Sequence, residues 1–394
     1  MSMDKTVLEK TDVLIVGAGQ AGAYAVIALR QQGYAGSITM IGEEASLPYE
    51  RPPLSKEYFS GEKPFERLLV RPGNFWKERD ITLFTGQSVI AVDPVAHTVT
   101  TDKGMSIHYS QCIWAAGGRP RRLSCRGADL TGIYGFRTKE DADLILKGLE
   151  KAEHIVIVGG GYIGLESASA LIKKGKKVTL LEAGERLLSR VAGEVVSAYF
   201  ERIHQMHGVD VRTGICLDSF GGTHHVESVR LAGGEEIPCD MVIVGIGIAP
   251  CVAPLLEAGA KGGNGVEVNA RCETSLTDIY AIGDCALHYN RFASGAAIRL
   301  ESVQNANDQA IVVAKNIVGK PTVYEALPWF WSNQYNVRLQ TVGLSGGYDE
   351  EVIKGEPEQD RFSVLYLKNG HTIAMDCINS PGDFAQGRKL IHQS

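Results

Sequence analysis

Eight cysteines are scattered through the chain, yet no two form a C-x-x-C pair and none stands beside either glycine-rich loop. That absence argues against a dithiol oxidoreductase, which needs paired or activated thiols at its cofactor. The cysteines read instead as small buried hydrophobes in a reducing compartment. No stretch approaches the roughly 20 apolar residues that span a bilayer. Met1 to Lys10 lacks both an apolar signal-peptide core and an Arg-rich amphipathic run, so the expected location is cytoplasmic. Positive charge is not in excess: the net charge is −6, which argues against a general nucleic-acid binder. His204 and His207 stand at helical i, i+3 spacing and His224 and His225 are adjacent, but no carboxylate or cysteine set completes a metal site. They read as solvated surface histidines, and no metal is expected.

With 394 residues, 44% hydrophobic and 22% charged, the chain suits a folded protein of two or three domains. Its most informative feature occurs twice. Gly17-Ala18-Gly19-Gln20-Ala21-Gly22 follows the apolar run Val13–Val16, and Gly159-Gly160-Gly161-Tyr162-Ile163-Gly164 follows Ile155–Val158. In such a loop the first glycine makes a tight turn, the second admits a pyrophosphate close to the backbone, and the third lets helix pack on strand. The helix N-terminus then presents free N–H groups to the phosphates. Each copy is followed, about twenty residues on, by an acid placed to bind a ribose, Glu43 and Glu182. Two dinucleotide sites in one chain suggest a flavin and a nicotinamide.

The rest of the chain repeats as well. Each half reads as a βαβ start, a short meander, and a buried strand ending in glycine and proline, at Cys112–Pro120 and Met241–Pro250. A stretch near 275–325 does not repeat; it holds Tyr280-Ala281-Ile282-Gly283-Asp284 and a long helix near 303–318. From about residue 327 the pattern suggests a small α+β tail. The fold class is α/β, with two Rossmann-like dinucleotide-binding domains plus a small α+β C-terminal domain.

At this point the residues resemble a known family. The two loops and Tyr280–Asp284 resemble the two-dinucleotide-fold flavoprotein reductases of the glutathione-reductase superfamily. Pro48-Tyr49-Glu50-Arg51-Pro52-Pro53-Leu54-Ser55-Lys56, Phe136-Arg137-Thr138 with Asp141 and Asp143, and Pro328–Tyr335 look like the NADH-dependent ferredoxin reductases of bacterial oxygenase systems. The resemblance implies an FAD domain at 6–116 plus 246–326, an NADH domain at 117–245, and a tail at 327–394 that covers the flavin and shapes the ferredoxin dock.

It also implies roles. Gly17, Gly19, Gln20, Ala21, Gly22, Glu43, Ala115, Gly117, Gly247, Asp284, Val303 and Trp331 fall in the cofactor-binding set. Arg51, Lys56 and Arg137 would approach the flavin, Lys56 near its reactive nitrogen. Gly159, Gly161, Tyr162, Ile163, Gly164 and Glu182 would hold NADH. Glu166 would pair with Lys56 and orient the nicotinamide amide; these two are the catalytic candidates. Plainer readings stand beside these. Asp284 and Ser302 also suit helix N-caps, and Glu166, in the first turn after its loop, suits the helix dipole. Trp329 and Trp331 also suit core packing. Glu182 favours NADH over NADPH, although Arg186 and Arg190 follow it. Val303 and Ala116 depart from the tryptophan and threonine that relatives often carry.

The reading expected is an FAD enzyme that takes a hydride from NADH and reduces an acidic two-iron two-sulfur ferredoxin, as a monomer or weak dimer. Arg119, Arg121, Arg122 and Arg126 form either a basic dock or a run of solvated charges. The rivals are an NADH oxidase and a redox-sensing flavoprotein of the same fold. A membrane quinone reductase would want an amphipathic C-terminal helix, and Gln386–Leu390 reads as too short for one.

Overall fold

The computed structural model describes residues 8–393. The reading of a leader-free N-terminus falls mostly on residues 1–7 and lies outside them. Compactness divides the chain into two units, which cut it differently from a division by cofactor. One comprises Met1–Glu50, Phe65–Arg119 and Ala249–Pro328; the other comprises Arg51–Pro64, Pro120–Ile248 and Trp329–Ser394.

In the first unit the central sheet runs, in spatial order, Ile81–Thr85, Ile38–Gly42, Leu8–Val16, Ser106–Trp114, Thr98–Thr101 and Val89–Asp93. The strand Ile279–Ala281 pairs parallel with the C-terminal end of Ser106–Trp114. Continuous apolar runs are what a parallel strand covered on both faces requires. Val13 and Ile15 face a core built with the helices Gln20–Gln31 and Val303–Ile317, while Leu14 and Val16 face a second core with Trp114, Val252 and Leu255.

The second unit repeats the plan. Asp210–Arg212, Lys177–Leu181, His154–Val158, Met241–Val244 and Ile133–Gly135 form an all-parallel sheet in that order. A three-stranded meander, Leu217–Gly221, Ser228–Leu231 and Glu236–Pro238, follows the sequence expectation. The tail adds an antiparallel five-stranded sheet whose outer strand, Glu350–Glu356, is its exposed edge. The terminal segment is a 13-residue helix, Pro381–Gln393, longer than the sequence suggested. Its Ile391 is buried, and Gly387 lies against Met375 and Val342 of the tail sheet. Among the described residues no helix is long and apolar enough to cross a membrane.

One of the links between the tail and the second dinucleotide unit runs through a buried acid. Asp376 is fully buried and accepts hydrogen bonds from Thr341 and, at 2.6 Å, from Tyr366. The Tyr366 hydroxyl in turn accepts the Gly193 N–H at 2.9 Å, where the helix Glu194–Met206 begins. Desolvation pushes the Asp376 carboxyl up to about 6 against the pull of its two donors. A carboxyl raised in the folded state binds protons that the unfolded chain releases, so its contribution falls as pH rises from about 4 to 6. We therefore expect wild type to gain stability relative to Asp376→Asn on acidification from pH 7 to pH 4.5, by about 2 kcal/mol. Urea denaturation of both proteins at the two pH values checks this; a constant difference rejects it.

Candidate functional site

The first loop is held by contacts that only glycine permits. Gly17 sits at φ +113°, and a Cβ there would lie 2.2 Å from the Ala115 carbonyl oxygen. A Cβ on Gly22 would lie 1.9 Å from the Gly17 carbonyl oxygen. Gly17 donates to Ile41 at 2.8 Å and Ala115 donates to Val16 at 2.7 Å, which sets the loop on the strand ends. Gly19 is the N-cap of Gln20–Gln31, which has no side-chain cap and no acid in its first turn. Ala21 packs beneath Gly283, which precedes Asp284 in a one-turn 3-10 helix. Gly283 N–H is held by Gln309 at 2.7 Å, and the Asp284 carbonyl by Arg299 at 2.6 Å. Gly117, at φ +63°, accepts from Cys251 at 2.9 Å. Ser302 caps the helix that Val303 opens, accepting from Asn305 N–H at 3.1 Å, so its capping role is real. Glu43 is exposed and pairs with Arg119 at 2.6 Å.

These residues fit a dinucleotide. Gln20 Oε1, Asn305 Oδ1 and Gln309 Nε2 are buried without a hydrogen-bond partner, although buried polar atoms are ordinarily satisfied. All three belong to the glycine-loop helix and to the long helix that follows Asp284. A ligand rich in phosphate, ribose and ring-edge groups is the chemistry that would satisfy them.

The second loop copies the first. Gly159 is again at φ +113°, its Cβ position 2.5 Å from the Gly245 carbonyl oxygen, and it donates to Leu181 at 2.8 Å. A Cβ on Gly164 would lie 2.0 Å from the Gly159 oxygen. Gly161 differs: its backbone is extended, at φ −84° and ψ −177°, and nothing lies within 4 Å of its Cβ position. Neither φ nor packing asks for glycine there; the space itself is the feature, and a pyrophosphate would use it. Glu182 is clamped by Gly160 N–H at 2.6 Å and Gly184 N–H at 2.7 Å. Arg186 turns away to Ala192, Ser197 and Ser189. Arg190 approaches Gly247, which sits at φ +93°. Tyr162 packs edge-on to Phe330, and Ile163 is 41% exposed.

The proline-stiffened segment belongs to the second unit. A 3-10 turn, Pro52–Ser55, delivers Lys56, whose Nζ donates to Glu166 Oε2 at 2.6 Å and to Pro52 O at 3.2 Å. Ser55 donates to the same carboxylate oxygen at 2.8 Å, and Ser332 donates to Oε1 at 2.7 Å. Arg51 donates to the Arg137 carbonyl at 2.9 Å, and Arg137 N–H is held by Asp141 at 3.0 Å. Glu166 is only 4% exposed. It is the fifth residue of Tyr162–Lys173, in the second turn and not the first, so its place there owes nothing to a first-turn dipole contact.

Several other expectations need correction. His204 is no solvated surface residue: it is fully buried, bonded to Gln334 at 2.8 Å and Tyr335 at 3.0 Å. Desolvation pushes it down to about 4. His207 is exposed, as expected, and stacks on the Tyr335 ring at 3.7 Å. Cys216 is exposed and Cys125 and Cys251 are half-buried, so only five of the eight cysteines are core residues. Trp329 and Trp331 are half-buried and lie 5.6 Å apart. Arg121, Arg122 and Arg126 are exposed. No metal-ligand cluster occurs among the described residues. Sequence reasoning missed Ser55, Ser332 and Gln334 as partners of the site. The last two gave a signal: polar residues at i, i+2 on the strand Trp329–Gln334, opposite the tryptophans.

Residues 11–310 match the pyridine nucleotide-disulphide oxidoreductase family, and residues 329–394 match the reductase C-terminal family. The chain belongs to the pyridine nucleotide-disulphide oxidoreductase family. It is 53% identical over 382 residues, 96% of this chain and 93% of the relative, to the 5,5'-dehydrodivanillate O-demethylase ferredoxin reductase subunit of a Sphingobium species. It is 38% identical to putidaredoxin reductase of Pseudomonas putida, covering 96% of this chain and 91% of that one. The solved covalent putidaredoxin reductase–putidaredoxin complex is similar at a TM-score of 0.93 and 37% identity, covering 97% of this chain and 93% of that chain. The family's enzymes are oxidoreductases that use FAD and NAD(P)H.

The contrast between the glycines gives a test. Gly161→Ala is expected to fold and to keep its FAD, with thermal midpoint unchanged, while NADH binding weakens about tenfold or more, each tenfold being about 1.4 kcal/mol. Gly17→Ala, strained in both φ and packing, is expected to lose FAD and stability together. Calorimetry, flavin absorbance and NADH titration read all three; a Gly161→Ala protein that binds NADH normally refutes the assignment.

Proposed function

We propose that this chain is an FAD-dependent reductase that takes electrons from NADH and passes them to a two-iron two-sulfur ferredoxin serving an oxygenase, either a haem monooxygenase or an aromatic-ring dioxygenase. The observation that carries the reading is the pair of matching glycine loops, each on its own parallel sheet with an acid after the second strand, followed by a tail of the reductase type. The division by cofactor follows: 6–116 and 246–326 for FAD, 117–245 for NADH, and 327–394 for the interface with the ferredoxin. When bound, the nicotinamide supplies a hydride, and the flavin accepts it and releases electrons singly.

The chain's own residues supply binding, orientation and charge. Gly17, Gly19 and Gly22 admit one pyrophosphate, and Gly159, Gly161 and Gly164 the other. Clamped Glu182 accepts from the ribose hydroxyls and repels a 2′-phosphate, which favours NADH. Lys56 holds an ammonium where negative charge develops, fixed by the buried Glu166. Arg51 and Arg137 steady the same loop.

The thiols speak against a disulfide reductase or a thiol-based oxidase. Cys285, next to Asp284, is fully buried, and desolvation pushes it up to about 12, so it offers no thiolate near neutral pH. Cys239 and Cys377 are pushed up to about 12 in the same way. Exposed Arg121, Arg122 and Arg126 would steer an acidic ferredoxin. A cytoplasmic monomer or weak dimer suits this role.

NADH-driven cytochrome c reduction, with and without a purified acidic two-iron two-sulfur ferredoxin, tests the proposal. The expected result is a large ferredoxin-dependent gain that weakens as salt rises from low to about 0.5 M. Flavin bleaching by NADH with no gain from any such ferredoxin would move the reading to the oxidase or sensor alternative.

A further inference from the structure

The Lys56–Glu166 pair is the end of a longer row of buried side chains. Ser332 is fully buried and donates to Glu166 Oε1 at 2.7 Å. Gln334, 1% exposed, donates through Nε2 to the Ser332 hydroxyl at 3.1 Å. His204 Nε2 lies 2.8 Å from Gln334 Oε1, and the Tyr335 hydroxyl lies 3.0 Å from His204 Nδ1. The row crosses from the helix Tyr162–Lys173 to the tail strand Trp329–Gln334 and on to the helix Glu194–Met206, all within the second unit.

Hydrogen counting fixes its direction. The Lys56 ammonium only donates, and a carboxylate beside it only accepts. The single Ser332 hydroxyl proton is spent on Glu166, so that oxygen must accept from the Gln334 amide. Gln334 Oε1 then needs a donor, and His204 Nε2 must carry its proton. His204 Nδ1 is left bare and accepts from Tyr335. We propose that Ser332, Gln334 and His204 are positioning residues for the Lys56–Glu166 pair, forming with Tyr335 a one-way buried chain whose every N–H and O–H points toward the Glu166 carboxylate.

The chain orients; it does not conduct. A carboxamide passes a proton only by becoming an imidic acid, so Gln334 interrupts any relay. What it does is pin Oε1 from one side while Ser55 and Lys56 hold Oε2 from the other. The carboxylate plane is thereby fixed, and with it the ammonium. Burial supports the neutral imidazole the chain needs, pushing His204 down to about 4, with the nearby His207 acting in the same direction. Outside the chain, Tyr335 is anchored by its own N–H to Ser169 at 2.8 Å and by the His207 stack. The catalytic consequence rests on the proposed function; the chain itself does not.

Two measurements on the full-length flavoprotein test this. The first is 15N-histidine NMR, with His204 assigned by its loss in His204→Gln. The expected result is a neutral Nε2–H tautomer that does not titrate between pH 8 and 5. In Tyr335→Phe, which leaves the anchor and the stack, the Nδ1 resonance is expected to shift while Nε2 stays protonated. An Nδ1–H tautomer, or titration near the ordinary value of about 6.5, overturns the chain whatever NADH does. The second is anaerobic stopped-flow reduction by NADH. Ser332→Ala is expected to slow flavin reduction about tenfold with NADH affinity within about twofold, and Ser332→Thr to restore the rate. A Ser332→Ala rate equal to wild type overturns the positioning role. A wild type that NADH does not reduce removes the functional reading, and the histidine tautomer then decides the chain alone.

Discussion

A carboxylate taken out of water must be matched in full, and Glu166 is the point where this chain meets that demand. Its donors come from two stretches far from its own helix, Ser55 with Lys56 and Ser332. Removing any one donor would leave a buried charge under-satisfied, which costs more than the contact itself contributes. The segment Arg51–Pro64 therefore goes with the second dinucleotide sheet and the tail, although most of its sequence neighbours build the first unit. Phe59 against Phe136 and Tyr58 on Asp143 reinforce the same allegiance.

Around that constraint the architecture is a duplication with one asymmetry. Both sheets place a positive-φ glycine against the carbonyl of a neighbouring strand end, Ala115 in one and Gly245 in the other. Both begin their helices without a side-chain cap, so the terminal N–H groups stay available. The acids differ. Glu43 is exposed and paired to an arginine, while Glu182 is clamped by two backbone amides.

Local rules made the frame legible from sequence. The apolar quartets Val13–Val16 and Ile155–Val158, their loops and their acids are contiguous signals, and the strands and helices fall where those signals place them. The Lys56–Glu166 pair came only through the family resemblance, and its partners Ser55 and Ser332 were not legible, because these contacts join residues more than 100 positions apart. His204 shows why. A histidine pair at i, i+3 marks one helix face, and sequence alone does not say whether that face meets water or the tail sheet. Here it meets Gln334 and Tyr335. Glu166 was misplaced by one turn for a smaller reason: its helix begins at Tyr162, inside the glycine loop. The terminal helix was underestimated because its apolar contacts, Gly387 and Ile391, need the sheet beneath them to make sense.

The exposed edge of the tail sheet carries one more consequence. Glu350–Glu356 has Val352 and Ile353 open to solvent, 39% and 48% exposed, on a strand with unpaired backbone groups. Such an edge invites another strand. A second copy laid antiparallel about Ile353 would set Glu350 opposite Glu356 at both ends, and like charges facing across a ladder repel. The glutamates thus work like bumpers, a charge penalty on any second copy laid along this border of the sheet.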